Sequence, residues 1–451
     1  MLLSILPNAF GGSQLAICEK APERPNSSYS RQFIRPDGAV SRLSVSKPAP
    51  LTNGANGARC HSAILPLPAS AIVWAERISS EDAKTFGGAI ALQGNFSPDR
   101  VDISEIIDIQ APPPRIANAA AKLALESTDP NPPAQSRPVA RSAWIWSPAV
   151  WIDTPEKIWA MQSRHKLEAV YLTLPTEAGQ VRNIDLLSTF VTEARRRGLA
   201  VWSVSGDPGD VLEANRSALL SRLAAYADYN RRVAAGARLA GVQLDIEPYL
   251  IPGYRLSPAA WRERYLATVR MARTALPAST RLDLAMPYWW ARHKDWGDTL
   301  LDALASLDIG ITVMNYRTDL DALLDGARPF LEWSQRYGKP VNIGLELGPI
   351  PDETRRHYRG SADGGELWLL PLGGHPALML LSAPTDGLPG KAFRYTHATD
   401  APATVITFAG NLARLDAMTE KLLPVWSAWP NFVGLTLHGL DAIDSNSRLG
   451  D

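Results

Sequence analysis

The sequence predicts an α/β fold, a (β/α)8 TIM barrel preceded by a disordered N-terminal region and a small β-rich module. From residue 142 onward, eight apolar strand-like segments alternate with amphipathic helical segments over about 300 residues, which is the count and size of such a barrel. An open doubly wound sheet is the main alternative, but no glycine-rich phosphate loop follows the first strand. The repeat of strand and helix therefore favours the closed barrel.

Three segments precede the barrel. Residues 1–60 are rich in Ser, Pro, Asn and Gly without periodicity, so we expect a disordered region. Residues 61–110 contain short strand-like runs separated by turns, which predict a small β-rich module. Proline clusters bracket a short Ala/Leu-rich stretch in residues 111–141, a composition typical of a linker. The barrel is then an independent unit over residues 142–451.

The eight predicted strands lie within residues 142–148, 167–175, 199–207, 240–248, 281–290, 308–319, 341–349 and 432–441. Helical segments such as 154–166 and 321–338 lie between them. A long interval at about 350–410 separates strands seven and eight. Additions after barrel strands fall on the catalytic face, so we interpret this insertion as a lid, in the form of a β-hairpin.

Composition excludes several classes of function. Lys plus Arg and Asp plus Glu both total 46, so no basic field favours nucleic acid as a partner. Cys18 and Cys60 belong to no CxxC or Cys/His cluster, and no ligand set at metal spacing is present, so we expect no metal and no cofactor. No apolar run has the length of a transmembrane segment. The N-terminus lacks a basic region and Pro7 interrupts it, so a signal peptide is not indicated.

The most informative stretch is the fourth strand, "GVQLDIEPYLIPGY" (241–254). Side chains on a strand alternate between faces, so Gln243, Asp245 and Glu247 share one face while the apolar residues between them share the other. The apolar set suits the helix layer, which leaves the polar set inside the barrel. Buried carboxylates are costly, so we interpret Asp245 and Glu247 as catalytic rather than as a structural ion pair.

The same alternation places polar residues at the ends of other strands, where the active sites of such barrels assemble. These residues are Ser203, Ser205 and Asp207 on strand three, Met314 and Tyr316 on strand six, Asn342 and Glu346 on strand seven, and Thr436 and His438 on strand eight. For His438, a structural contact at the barrel rim and a substrate contact are both open. Tyr249, two residues after Glu247, is a further candidate for substrate binding.

Tryptophan is used heavily, with 14 in the chain. Five fall on or just after predicted strands: Trp144, Trp146, Trp202, Trp289 and Trp290. Core packing explains any single one as well as ligand binding does, because large aromatic side chains dominate cores. As a group they favour flat walls for sugar rings, and hence a carbohydrate cleft.

Two motifs carry a family resemblance. "LDIEPY" after strand four and "VMNYRTD" on strand six resemble the DxE and Met-x-Tyr elements of glycoside hydrolase family 18, the chitinases and endo-β-N-acetylglucosaminidases. The resemblance implies that Glu247 protonates the glycosidic oxygen and that Asp245 orients the 2-acetamido group of the substrate. It also implies that Tyr316 steadies that group. The family has aspartates where this chain has Ala240 and Gln243, so the proton relay of the family is incomplete here.

A second interpretation uses Glu346 in "NIGLELGP". Barrel glycosidases of the retaining two-carboxylate type resemble this chain in placing an acid/base after strand four and a nucleophilic Glu at the end of strand seven. That mechanism needs carboxyl groups about 5 to 5.5 Å apart. The Asn that precedes the acid in those enzymes is replaced here by Ile246, and a rim carboxylate paired with an Arg is the structural alternative for Glu346.

The sequence therefore predicts an enzyme, a glycoside hydrolase acting on a polysaccharide or oligosaccharide, with Glu247 as general acid/base. Export is favoured over retention in the cell. The alternatives are a retaining glycosidase with Glu346 as nucleophile and a non-catalytic carbohydrate-binding barrel that has lost its relay.

Overall fold

The computed structural model describes residues 139–250, 258–293, 297–371 and 377–441, together with residue 71 and strands between residues 2 and 108. The linker predicted at 111–141 lies almost wholly outside the described residues. The N-terminal strands are β1 to β8, at Leu2–Pro7, Ser13–Glu19, Gln32–Ile34, Val40–Arg42, Arg59–Leu65, Ile72–Arg77, Ile90–Ser97 and Arg100–Asp108.

Eight parallel strands close into a barrel, which confirms the predicted fold class. They are β9 (Ala140–Ile145), β10 (Ala169–Thr173), β13 (Ala200–Ser205), β14 (Gly241–Leu244), β15 (Leu282–Pro287), β16 (Gly310–Met314), β17 (Val341–Glu346) and β22 (Phe432–His438). Between β10 and β13 lies the small hairpin β11 (Thr176–Glu177) and β12 (Gln180–Val181). Each barrel strand pairs with the next barrel strand along the chain, and β22 pairs with β9 to close the ring.

The helices run outside the barrel. They are α1 (Pro148–Ile152), α2 (Pro155–His165), α3 (Ile184–Arg196), α4 (Arg216–Arg232), α5 (Pro258–Ala275), α6 (Gly297–Ala305), α7 (Leu320–Tyr337) and α8 (Leu412–Ser427). Asp319 caps α7 by accepting a hydrogen bond from the Ala322 amide at 3.1 Å, and Gly338 ends it in the left-handed conformation. None of the described helices has the length and apolar character of a bilayer-spanning segment.

Two apolar layers hold the barrel together. The larger lies between strands and helices and includes Val242, Leu244 and Ile246, the apolar face of strand four. The smaller fills the barrel interior and is built from Trp144, Tyr171, Val204, Ala285 and Met314. Strand four therefore presents its apolar residues to the helices, as the alternation of its sequence predicts.

The insertion between β17 and β22 forms four strands instead of a single hairpin. They are β18 (Glu353–Ser361), β19 (Gly365–Leu370), β20 (Ala377–Thr385) and β21 (Lys391–Ala401). They join three N-terminal strands in one seven-stranded antiparallel sheet, in the order β6-β20-β19-β21-β18-β7-β8. Of the strands within residues 61–110, β6, β7 and β8 thus belong to the sheet of the insertion. We call this the composite sheet.

The composite sheet reaches the barrel beside the fourth strand. Strand β8, at one edge of the sheet, lies against the turn Pro248–Leu250, which directly follows Glu247. A strand that precedes Glu247 by more than a hundred residues in the chain therefore neighbours the candidate acid.

Five strands lie within residues 2–65, and the disorder of residues 1–60 stays a prediction. Strands β1, β2 and β5 form a three-stranded antiparallel sheet, and β3 pairs with β4. The register of β2 and β5 sets Cys18 opposite Cys60.

Candidate functional site

The site is built on the carboxyl end of β14. The strand ends at Leu244, and the chain continues through Asp245 and Glu247 into the turn Pro248–Leu250. The amide of Asp245 donates to the carbonyl of Ser205 at 3.0 Å, which ties this exit to the end of β13. A side chain at Gly206 would begin 1.8 Å from the Asp245 carbonyl oxygen, so only glycine permits this close approach.

Asp245 is a buried carboxyl group with 9% of its surface exposed. Burial, and then the neighbouring charge of Glu247, raise the pKa of Asp245 well above its usual range. Its Oδ1 atom is buried and has no hydrogen-bond partner within the described residues. The site therefore offers a protein acceptor that only a ligand or solvent donor can satisfy.

Glu247 is partly buried and lies beside Tyr249, whose hydroxyl donates to Glu247 Oε2. The Tyr249 ring is held edge-on by Trp289 and Trp290, with ring centroids 5.3 and 6.1 Å away. Burial and the charge of Glu247 raise the pKa of Tyr249, so it remains a donor. Tyr249 thus orients the carboxyl group of Glu247.

Beneath the two carboxyl groups lies a buried polar layer centred on Gln243. Its Oε1 accepts from Trp144 Nε1 at 2.6 Å, and its Nε2 donates to Asp283 Oδ2 at 2.6 Å. Thr312 also donates to Asp283 Oδ2, at 2.7 Å. Burial raises the pKa of Asp283 to about 6. Both polar atoms of the Gln243 side-chain amide are therefore hydrogen-bonded, Oε1 to Trp144 and Nε2 to Asp283.

On the other side of the barrel mouth, Glu346 and His438 face each other across β17 and β22. His438 Nδ1 lies 2.5 Å from Glu346 Oε2, and the amide of Gly348 donates to Glu346 Oε1 at 2.6 Å. Trp146 Nε1 donates to His438 Nε2 at 2.8 Å. Both carboxylate oxygens of Glu346 and both ring nitrogens of His438 are occupied.

Aromatic rings surround His438. The Tyr316 ring stacks on it at 5.6 Å, while Trp144 and Trp146 meet it edge-on at 5.8 and 5.9 Å. Burial, followed by the charge of Glu346, raises the pKa of Tyr316, so the phenol stays protonated. Met314, from the same strand, packs in the barrel interior with 6% of its surface exposed.

Neither a protein-family model nor a curated protein matches the sequence. Solved structures that resemble the chain include the spore cortex-lytic enzyme SleL of Bacillus cereus, 13% identical with a TM-score of 0.37, over 70% of this chain and 75% of that one. A family 18 chitinase from Cycas revoluta in complex with (GlcNAc)3 is 15% identical with a TM-score of 0.37, over 68% and 96% of the two chains. The family 18 chitinase ChiB of Flavobacterium johnsoniae is 13% identical with a TM-score of 0.32, over 66% and 87%. The barrel assignment itself rests on the strand topology of this chain.

Most of the residues predicted from the sequence lie at or beneath the barrel mouth. Asp245, Glu247 and Tyr249 form one side, Tyr316, Glu346, His438 and Trp146 the other, and Gln243, Trp144 and Met314 lie below them. Trp289 is partly exposed beside Tyr249. Trp144, at 1% exposure, presents almost no ring surface to a ligand.

Two predicted tryptophans lie elsewhere. Trp202 pairs in register with Gly241, the first residue of β14, and the guanidinium of the exposed Arg281 lies 4.6 Å from its ring. It therefore lies at the amino end of the barrel, opposite the mouth. Trp290 is 2% exposed and packs edge-on against Tyr265 of α5 at 4.8 Å, so it belongs to the core.

The prediction for strand three was wrong by one residue. Trp202 and Val204 face the barrel interior, whereas Ser205 Oγ accepts from Arg222 of α4 at 3.0 Å on the helix side. Asp207 caps the turn Pro208–Val211 by accepting from the Gly209 amide at 2.7 Å. The Trp202 indole determines which side chains of β13 face the barrel interior. It fills the space over Gly241, where an added Cβ would begin 2.2 Å from the ring.

Sequence reasoning missed Asp283, the buried partner of Gln243. The signal was present in "RLDLAMP", where a carboxyl group alternates with leucines on strand five, just as Asp245 does on strand four. Groups of three or more metal-ligating side chains are absent from the described part of the chain.

Proposed function

We propose that the protein is a glycoside hydrolase acting on a polysaccharide or oligosaccharide that carries 2-acetamido sugars, with Glu247 as general acid/base. The observation that carries the proposal is the unpartnered, buried Oδ1 of Asp245 beside the second carboxyl group of Glu247. An acetamido N–H is a donor of the kind that this acceptor lacks.

The two carboxyl groups suit a division of labour. Residues two apart along an extended chain project in the same direction about 6 to 7 Å apart, so one group meets the leaving oxygen while the other meets the neighbouring substituent. Burial, and then the charge of Glu247, disfavour ionisation of Asp245. In the complex with substrate, Asp245 would orient the acetamido group and Glu247 would donate a proton to the glycosidic oxygen.

Tyr316 completes this arrangement. Its phenol stays protonated, and its pKa responds to Glu346, Asp245 and Glu247, so the hydroxyl lies within electrostatic range of all three carboxyl groups. A hydroxyl donor in that position would stabilise an acetamido oxygen as it attacks the anomeric carbon.

The test is release of reducing ends from chitooligosaccharides and other acetamido glycans. Glu247→Gln is expected to lower kcat/KM by about 10² to 10⁴-fold, the usual range for loss of general acid–base catalysis. Asp245→Asn is expected to lower kcat on acetamido substrates more than on glycans without that group. Glu332→Gln, on the exposed side of α7, is the matched control and leaves turnover unchanged. Equal activity of Glu247→Gln and the control would refute the assignment.

One observation favours a second function, a carbohydrate-binding barrel without turnover. Gln243 is fixed to Trp144 and Asp283, and an amide cannot relay a proton to Asp245 as a carboxyl group does. Oligosaccharide binding by calorimetry, without bond cleavage and unchanged in Glu247→Gln, would establish this alternative.

A further inference from the structure

We infer that Glu346 is a positioning residue: together with His438 it fixes the indole of Trp146 as a sugar-contacting wall of the barrel mouth. This inference rests on the proposed carbohydrate function and assigns Glu346 a role different from that of a nucleophile.

Trp146, His438 and Glu346 are linked by two hydrogen bonds, and the indole N–H of Trp146 determines where the proton of His438 lies. An indole N–H only donates, so the His438 Nε2 that receives it at 2.8 Å carries a lone pair. The proton of the neutral imidazole is then on Nδ1, which donates to Glu346 Oε2 at 2.5 Å. The amide of Gly348 donates to the other oxygen at 2.6 Å.

Glu346 is therefore satisfied by the protein itself. Its side chain is only 5% exposed, whereas that of His438 is 28% exposed. A nucleophilic carboxylate presents a free oxygen to the anomeric carbon, and here each oxygen already accepts a short hydrogen bond. The backbone carbonyl of Glu346 also accepts from the Phe408 amide at 2.8 Å, which anchors the residue against the end of the insertion.

The side chain whose position these hydrogen bonds fix is Trp146. It follows β9 directly, it is partly exposed, and its N–H is used inward, toward His438. The orientation of the indole is thus fixed by a hydrogen bond on its edge, while its face is left for the C–H surface of a sugar ring. Tyr316 stacks on the same imidazole, so one histidine aligns two aromatic groups of the mouth.

An amide at position 346 cannot reproduce this arrangement. Glu346 faces two donors, Nδ1–H of His438 and N–H of Gly348, and a glutamine offers one acceptor and one donor group. Glu346→Gln therefore loses one of the two bonds or forces His438 into the other tautomer, which breaks its bond to Trp146.

The experiment measures oligosaccharide affinity in the Glu247→Gln background, where turnover does not interfere, and kinetics in the wild-type background. Glu346→Gln is expected to weaken binding and raise KM about tenfold, the equivalent of one hydrogen bond, with kcat changed by less than about threefold. Trp146→Phe, which keeps a ring but lacks the N–H, is expected to show a similar defect. In the Trp146→Phe background, Glu346→Gln then adds nothing further.

Glu332→Gln, on the exposed side of α7, is the control for exchange of a carboxylate for an amide. A loss of kcat of about 10³-fold or more in Glu346→Gln, with azide restoring turnover in Glu346→Ala, would make Glu346 the nucleophile and overturn the inference. Unchanged affinity in a folded Glu346→Gln would also overturn it.

The positioning role of Glu346 can also be tested when the proposed carbohydrate function fails. If no glycan binds, near-UV circular dichroism of the unliganded protein still reports the environment of Trp146. Glu346→Gln is expected to change this spectrum, and to leave it unchanged in the Trp146→Phe background. A Glu346→Gln spectrum identical to that of the wild type would contradict the positioning role whatever the substrate.

Discussion

Asp283 is a buried carboxyl group beneath the site, and its protonation affects the stability of the barrel. It lies within the barrel, 4% exposed, and accepts hydrogen bonds from Gln243 and Thr312 through one oxygen. Both donors are neutral, so burial dominates and the pKa rises to about 6. Protonation of this group is thereby linked to the stability of the whole barrel.

We expect Asp283→Asn to remove a pH dependence of stability. A carboxyl group with a raised pKa binds its proton more tightly in the folded state, so the free energy of unfolding falls as pH rises from about 4, near the unfolded pKa, to about 6. A change of roughly two pKa units corresponds to about 3 kcal/mol. Urea unfolding between pH 4 and 7 measures it, with exposed Asp416→Asn as the control. Parallel pH profiles for wild type and Asp283→Asn would contradict this account.

Gln243 provides a second prediction for the same layer. Gln243→Leu removes the partner of Trp144 Nε1 and one donor to Asp283, leaving buried polar groups unsatisfied at a cost of about 2 to 4 kcal/mol. Thermal unfolding tests this, with Gln335→Leu on the exposed side of α7 as the matched variant. A melting temperature equal to that of Gln335→Leu would show that the layer contributes little.

Among the elements, the junction of β13 and β14 sets the position of Asp245. The strands are joined by the Asp245–Ser205 backbone hydrogen bond, and Gly206 lies directly against the Asp245 carbonyl. No side chain fits between the two strand ends. The geometry of the candidate site is therefore fixed partly by a residue without a functional group.

We expect Gly206→Ala to move the exit of β14 and to lower both activity and stability. The added methyl group would lie 1.8 Å from the Asp245 carbonyl oxygen, so the backbone has to shift. A loss of at least about 2 kcal/mol in unfolding free energy and at least about tenfold in kcat/KM is expected, in the range of overpacking effects. Gly236→Ala, where nothing lies within 4 Å, is the control. Wild-type behaviour of Gly206→Ala would disprove the close approach.

Local sequence predicted the elements well where alternation and packing agree. In β14 the apolar residues contact the helix layer and the polar ones face inward, as its pattern indicates. In β13 the same rule failed because Trp202 and Val204 compete with the serines for the interior, and volume decided the outcome over polarity. The contacts of Gln243 with Asp283 and of Glu346 with His438 join different strands, and no single strand contains the information for them.

In the whole molecule, the composite sheet unites segments far apart in the chain. β6 pairs with one edge of the insertion and β7 and β8 with the other, so residues 72–108 flank β18 to β21 on both sides. The sequence predicted β structure in both segments but could not show their pairing, because strand partners at such separations leave no local pattern. Strand β8 then lies beside the turn after Glu247.

Truncation tests this architecture. Removal of residues 1–70 leaves all seven strands of the composite sheet, and we expect the remaining chain to be folded and monodisperse. Removal of residues 1–110 uncovers the edges of β18 and β20, whose free backbone groups favour association between chains. Size-exclusion chromatography and limited proteolysis within 353–401 distinguish the two. Equal resistance of both truncations would show that the insertion folds without its N-terminal partners.

The composite sheet also has a consequence for how the protein is made. During translation, β7 and β8 are synthesised about 250 residues before β18, the strand that pairs with β7. At roughly 5 to 20 residues per second, nascent β6, and the edge of β7 that later pairs with β18, wait for tens of seconds without their sheet partners, while β7 can already pair with β8. The barrel strands β9 to β17 are synthesised during that delay. The rate of translation therefore determines how long these strand edges stay exposed in the cell before their partners are made.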